Sequence, residues 1–217
     1  TASSIGAEAA RKAIEASGDT AAHINVVKCY QYKGSVYNKM KDLPNALLSY
    51  EKALAASPDK PGVLYMNAAV TAFNLNNNEK ALVYFNNAYT AGYKPEDALS
   101  FKAMVYKKMN NDSAYMQTML LGNEKFPDNK KFSSALAGVY VGQGNTIYKG
   151  AVEMLNATNK KVNDKKLKTT DAAYKTEIDS AKAEFAKAVE VLSKALKFDP
   201  SNANALKLVD ACKQHAK

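Results

Sequence analysis

Histidines, cysteines and clustered lysines are the residues here whose types and spacing bear on chemistry, and the first two argue against catalysis. His23 and His215 are the only histidines, and neither belongs to a His-x3-His pair or lies at metal-ligand spacing from a cysteine. His23 and Cys29 are six residues apart, which puts them on different faces of a helix and denies them the contact of a thiol nucleophile with its base. There is no G-x-S-x-G elbow, no phosphate-cradling glycine loop and no zinc-type cysteine cluster. Glu96 and Asp97 fall at an expected helix start, where acids favour the positive end without any catalytic role. No catalytic residue, metal or cofactor is expected, and the chain reads as a non-enzyme.

The lysines are a different matter. Lys160, Lys161, Lys165, Lys166 and Lys168 stand against one nearby acid, Asp164, in a chain of net charge +9. Such a run can hold nucleic acid, an acidic glycan or an anionic lipid surface. From Asn156 to Thr170, however, no aromatic residue offers a base a stacking platform, so a solvated helical tip is the favoured reading and nucleic acid is not expected as a partner.

What must position these residues is legible from a pattern that recurs. Ala46, Tyr50, Ala53 and Pro58 return with identical spacing as Ala188, Leu192, Ala195 and Pro200. On a helix the first three form one stripe in which small residues flank a large one, letting a neighbouring helix approach closely. The prolines follow where a helix can end. In between, Gly34, Ala69 and Ala103 mark one small position, with Tyr37, Ala72 and Tyr106 three further on. Tyr50, Phe85 and Met119 mark a large position, with Ala53, Ala88 and Gly122 just beyond.

On these residues the chain resembles the tetratricopeptide repeat (TPR) family, whose helix-turn-helix unit of about 34 residues carries a W-x2-L-G-x2-Y, A-x3-F, P pattern. The first unit fits best: Tyr30 in place of Trp, then Gly34, Tyr37, Ala46, Tyr50, Ala53 and Pro58. Lys33 replaces the leucine, Tyr93 the second unit's proline, and Tyr115 fills a small slot in the third. The resemblance implies an all-α, TPR-type αα superhelix of about eleven helices, read as one solenoid domain over 1–217. Its parts are an N-terminal helix and the start of the first repeat (1–26), units at 27–60, 62–95 and 96–129, degenerate and stretched final repeats at 130–200, and a capping helix at 201–217. In style it also resembles Asn- and Lys-rich TPR proteins of the Bacteroidetes envelope.

Periodicity and punctuation predict helices near 6–16, 20–40, 44–56, 61–75, 79–91, 95–109, 112–125 and 130–143. Asn or Asp residues ahead of Pro44, Glu79 and Ser113 are expected to cap free amides. After Gly144 the spacings alternate three and four, through Tyr148, Ala151, Leu155, Thr158 and Val162, and again from Tyr174 through Ile178, Ala181, Phe185, Ala188, Leu192 and Ala195. That is a coiled-coil seam, and it predicts an extended antiparallel hairpin of helices 145 to about 168 and 171–198, closed by a helix at 202–215.

The resemblance also implies a concave groove lined by the first helix of each unit. Its positions fall on Lys28, Gln31, Ser35 and Asn38, then Val63, Met66, Val70 and Phe73, then Asp97, Ser100, Met104 and Lys107. A Met and Phe patch among polar and basic residues suits an extended or amphipathic peptide; the competing reading makes Met66, Val70 and Phe73 core. The clamp that some relatives use on chaperone tails is matched only at Asn67, while Gln31, Asp97 and Phe101 stand where it needs cations.

Hydrophobic residues make up 47%, with 13 Tyr, 7 Phe and no Trp, and no apolar run approaches the roughly 20 residues of a membrane-spanning helix. Cys29 and Cys212 lie near opposite ends and read as free thiols. A start at Thr1 followed by small and polar residues fits an exported bacterial protein as well as a trimmed chain. The expectation is a non-catalytic scaffold binding a protein or peptide in the groove. The alternatives are self-association through the 145–198 hairpin, giving a homo-oligomer, and an acidic polymer held at the lysine tip.

Overall fold

The computed structural model describes Lys12 and residues 20–216, with side-chain surroundings for Lys12 and from Asn25 to His215. The described residues form nine helices and no strand: α1 (Thr20–Lys39), α2 (Leu43–Ala56), α3 (Gly62–Asn74), α4 (Asn78–Thr90), α5 (Pro95–Lys108), α6 (Asp112–Lys125), α7 (Lys130–Asn163), α8 (Ala172–Phe198) and α9 (Ala203–Ala216). The all-α class is as expected. The helix expected at 6–16 lies, apart from Lys12, outside the described residues. The chain divides into two compact units, one up to Gly122 and one from Asn123.

In the first unit, short polar side chains start α2, α4 and α6. Asp42 accepts the Asn45 amide at 3.3 Å with Pro44 in the first turn of α2, Asn77 accepts Lys80 at 3.2 Å, and Asn111 accepts Ala114 at 3.0 Å. Four of the helices, α1, α3, α4 and α5, end on a common device. Lys41, Asn76, Gly92 and Asn110 adopt positive φ, and each following amide (Asp42, Asn77, Tyr93, Asn111) donates to the carbonyl five residues back at 2.9–3.0 Å. This is the Schellman geometry, which satisfies carbonyls that the helix end would otherwise leave unpaired.

The repeated stripe is the core. Ala46, Tyr50 and Ala53 on α2 and Ala81, Phe85 and Ala88 on α4 are buried, and Leu64, Ala68, Ala69, Ala72, Ala98 and Val105 pack with them from α3 and α5. Phe85 stacks on Phe101 with ring centroids 5.3 Å apart. The small positions are small because of what lies above them: a Cβ built on Gly34 would stand 2.7 Å from the Tyr50 ring.

The second unit holds α7, α8 and α9. A break at Gly144 is expected from the change of pattern, yet α7 runs unbroken for 34 residues from Lys130 to Asn163. Gly144 is there for packing: it is buried, and a Cβ on it would stand 2.6 Å from Leu192 Cγ. With two expected helices fused, and one outside the described residues, nine replace about eleven. The helix stops five residues short of 168, where Lys165 takes positive φ and the Lys166 amide donates to Lys161 O at 2.8 Å.

The seam closes within this hairpin. Ala151 and Thr158 on α7 and Ala181, Phe185, Ala188, Leu192 and Ala195 on α8 are buried, with Tyr148, Leu155, Val162, Tyr174 and Ile178 half-buried along it. α9 lays Ala205, Val209 and Cys212 on the base of the hairpin and turns Asn204, Lys207, Asp210 and Lys213 outward. Its start is fixed by Asn202, which accepts the Ala205 amide at 3.0 Å and donates to Asp199 at 3.1 Å.

Candidate partner-binding surface

The expected groove residues lie on α1, α3 and α5, all in the first unit. On α1, Gln31 and Ser35 stand with Lys28, Tyr32 and Lys39 along one wall of a depression of about 480 Å³. α1 carries no acidic residue over its whole length, so this wall is uniformly basic where it is charged. Tyr32 is 78% exposed, an amphipathic ring held in solvent on an ordered helix. Asn38 is engaged from behind, hydrogen-bonded to the Tyr50 side chain. Burial pushes the Tyr50 hydroxyl above its ordinary value, and this bond works in the opposite sense.

On α3 the side chains turn inward. Met66 is 8% exposed and belongs to the core, and Val63, Val70 and Phe73 are half-buried against it. Phe73 is covered further by Lys108, whose ammonium lies 4.6 Å from the ring centroid and also bonds the Asn76 side chain. On α5 the outlook is open: Met104 is 46% exposed, Lys107 is exposed with its ammonium 5.6 Å from the Tyr115 ring, and Asp97 and Ser100 are half-buried.

Three residues of this surface escape the sequence reading: Tyr32, Lys39 and Lys108. Tyr32 and Lys39 are findable from spacing, since each lies three or four residues from Lys28 or Ser35 and so shares their face. Lys108 is not, because its role depends on reaching across to α3.

At the hairpin tip the five lysines are not equivalent. Lys161 pairs with Glu177 at 2.6 Å, and Thr158, buried in the seam, donates to the other oxygen of that carboxylate at 2.8 Å. These two bonds, Lys161 first, hold the Glu177 carboxyl below its ordinary value. Lys166 lies 3.8 Å from Asp164. Lys160, Lys165 and Lys168 are exposed with no carboxylate paired to their ammonium groups among the described residues.

Among the described residues no three of His, Cys, Asp and Glu come together as a metal-holding group. Both cysteines are free thiols; Cys29 is exposed, while Cys212 is buried and its thiol pushed up by that burial. His215 stacks on Phe185 at 4.8 Å between centroids, and the His23 side chain lies outside the described residues. No described helix is long and apolar enough to cross a membrane.

Residues 27–60 match the family model of the tetratricopeptide repeat. Among solved structures the fold is similar to a TPR protein from Bacteroides fragilis, with 19% identity, a TM-score of 0.60, and coverage of 87% of this chain and 98% of that one. It is also similar to a tetratricopeptide repeat protein from Parabacteroides merdae, at 11% identity and TM-score 0.50 over 87% of this chain and 73% of that one. A third likeness is to the protein MamA, at 13% identity and TM-score 0.50 over 87% and 81%. No curated protein matches the sequence.

Proposed function

We propose that this chain, which carries a tetratricopeptide repeat and the TPR fold, is a non-catalytic scaffold that takes a peptide segment of a partner protein along α1, α3 and α5 of its first unit. The observation that supports this reading is the wall of Lys28, Gln31, Tyr32, Ser35 and Lys39, an ordered helix face holding polar groups, two cations and an exposed ring beside a 480 Å³ depression. Lys28, Tyr32, Lys39, Met104 and Lys107 are exposed on this surface, with Gln31 and Ser35 half-buried between them. Asn38 is already bonded to Tyr50. Met66, Val70 and Phe73 shape the floor from beneath, since a packed side chain contributes form more than direct contact.

Self-association through the hairpin seam is less well supported, because the seam residues are used against each other within one chain. The test selects peptides from a displayed random library on the full chain and maps them by amide chemical shifts. Perturbations centred on Gln31, Ser35 and Met104, with binding lost in Tyr32→Ala and in Met104→Glu at unchanged helicity, are the expected result. Perturbations confined to α7 and α8, or binding indifferent to both substitutions, would remove the groove reading.

A further inference from the structure

The family pattern places leucine immediately before the small residue that Gly34 and Ala103 represent, and here that residue in the third unit is Lys102. The substitution puts a cation between α4 and α5. Lys102 is only partly exposed, and its ammonium donates to the Asn86 side-chain oxygen at 2.9 Å. Among the described residues no carboxylate pairs with it. The residues three and four away on α5 are Ala98, Leu99, Val105 and Tyr106, and those facing it from α4 are Leu82, Val83, Asn86 and Asn87. Burial accordingly pulls the Lys102 ammonium below its ordinary value.

Around it lies a depression of about 290 Å³ lined by Leu82, Val83, Asn86, Asn87, Lys102 and Tyr106. The chemistry of the lining is divided: an apolar floor, with Val83 56% exposed, and a cluster of one ammonium, two amides and a phenol. We infer that this depression is a docking subsite for an acidic side chain, Glu or Asp, of a partner polypeptide, its aliphatic stem on Leu82 and Val83 and its carboxylate on Lys102. A single cation with neutral amides balances one carboxylate, whereas a phosphate would call for further cations or an arginine fork. The site is separate from the groove. Lys102 is two residues from both Ser100 and Met104, about 200° around α5 from each.

A lysine partly withdrawn from water without its counter-ion costs stability that leucine would not. The substitution Lys102→Leu therefore separates a binding role from a passive one. The full chain, labelled at lysine and at asparagine side-chain amides, is titrated by NMR with acetyl-Glu-Val-Glu amide and, in a second arm, with inorganic phosphate. Each is carried to about 10 mM, enough to register millimolar dissociation constants. The peptide should move the Lys102 ammonium and Asn86 amide signals saturably, and Lys102→Leu should weaken its binding roughly tenfold or more while thermal stability holds or rises. Met104→Glu should leave this binding unchanged. Lys102→Gln serves as a second variant should the leucine disturb folding. No saturable movement, equal affinity in both Lys102 variants, or a response to phosphate at lower concentration than to the peptide would overturn the assignment.

Discussion

Gly144 on α7 lies directly against Leu192 on α8, so closely that a Cβ on the glycine would stand 2.6 Å from Leu192 Cγ and 2.7 Å from Cδ2. Gly34 and Tyr50 make the same approach in the first unit, at 2.7 Å. The two pairs are one motif at two lengths: sixteen residues separate Gly34 from Tyr50, and forty-eight separate Gly144 from Leu192. In the second pair the two helices run on past the shared contact into the hairpin.

Gly144→Ala should therefore destabilise. Leu192 is fully buried, and a branched core side chain cannot step aside freely, so a loss of about 1–3 kcal/mol is expected despite alanine's better helix propensity. Gly138, Gly142 and Gly150 sit in the same helix with nothing within 4 Å of a built Cβ. Alanine at any of these should stabilise by up to about 1 kcal/mol. Urea unfolding of the four variants checks the contrast; equal effects at all four positions would mean that propensity, not contact, decides.

This contrast also marks how far the sequence could be read. The stripe of Ala46, Tyr50 and Ala53 and its copy at Ala188, Leu192 and Ala195 is a local pattern with helical spacing, and all six side chains are buried. Gly144 misleads because a glycine in a helix has two explanations, a break or a close approach, and only the position of Leu192 across the hairpin distinguishes them. The groove residues divide for a similar reason. Spacing finds the face of α1 that holds Gln31 and Ser35, but whether Phe73 meets solvent is decided by Lys108, thirty-five residues away.

Stability should decline in alkali. Tyr84 donates to Glu51 at 2.9 Å while Lys80 meets the same oxygen at 2.7 Å, tying α4 to α2. Burial first, then the Glu51 carboxylate, raise the Tyr84 hydroxyl far above its ordinary 10.0, and burial raises Tyr50 and Tyr115 in the same direction. A group whose folded value is raised gives its full contribution below the unfolded value and loses it as pH climbs. Chemical denaturation should show stability falling above about pH 10, and Tyr84→Phe should make that fall shallower; an unchanged slope would remove Tyr84 as a contributor.

The hairpin should weaken in acid. Lys161 and Thr158 hold the Glu177 carboxyl below its ordinary 4.5. A depressed folded value gives stability that is complete above the unfolded value and is lost as pH falls through the folded one. The protection factors of amides near Thr158 and Glu177, taken against the intrinsic exchange rate at each pH, should fall on passing below about pH 4.5. Lys161→Met should flatten that dependence, because the cation that separates the folded from the unfolded value is gone.

Four lysines, Lys41, Lys60, Lys94 and Lys165, sit at positive φ where the backbone favours glycine, and two of them, Lys41 and Lys165, follow helix ends in Schellman geometry. Lys41 ends α1 at φ 61°, and Lys165 follows α7 at φ 58°, both in the left-handed region that costs a residue with a Cβ roughly 1 kcal/mol. The Schellman bonds that require this geometry run through the backbone, from the Asp42 amide to Tyr37 and from the Lys166 amide to Lys161, so they survive any change of side chain. Lys41→Gly and Lys165→Gly should each stabilise by about 0.5–1 kcal/mol, the gain being reduced by glycine's freedom in the unfolded chain. The increments should add in the double variant, since the turns lie in different units. Thermal unfolding of the two single variants and the double variant measures this directly, and a loss at Lys165 would mean that its ammonium contributes to the tip more than the strained backbone costs.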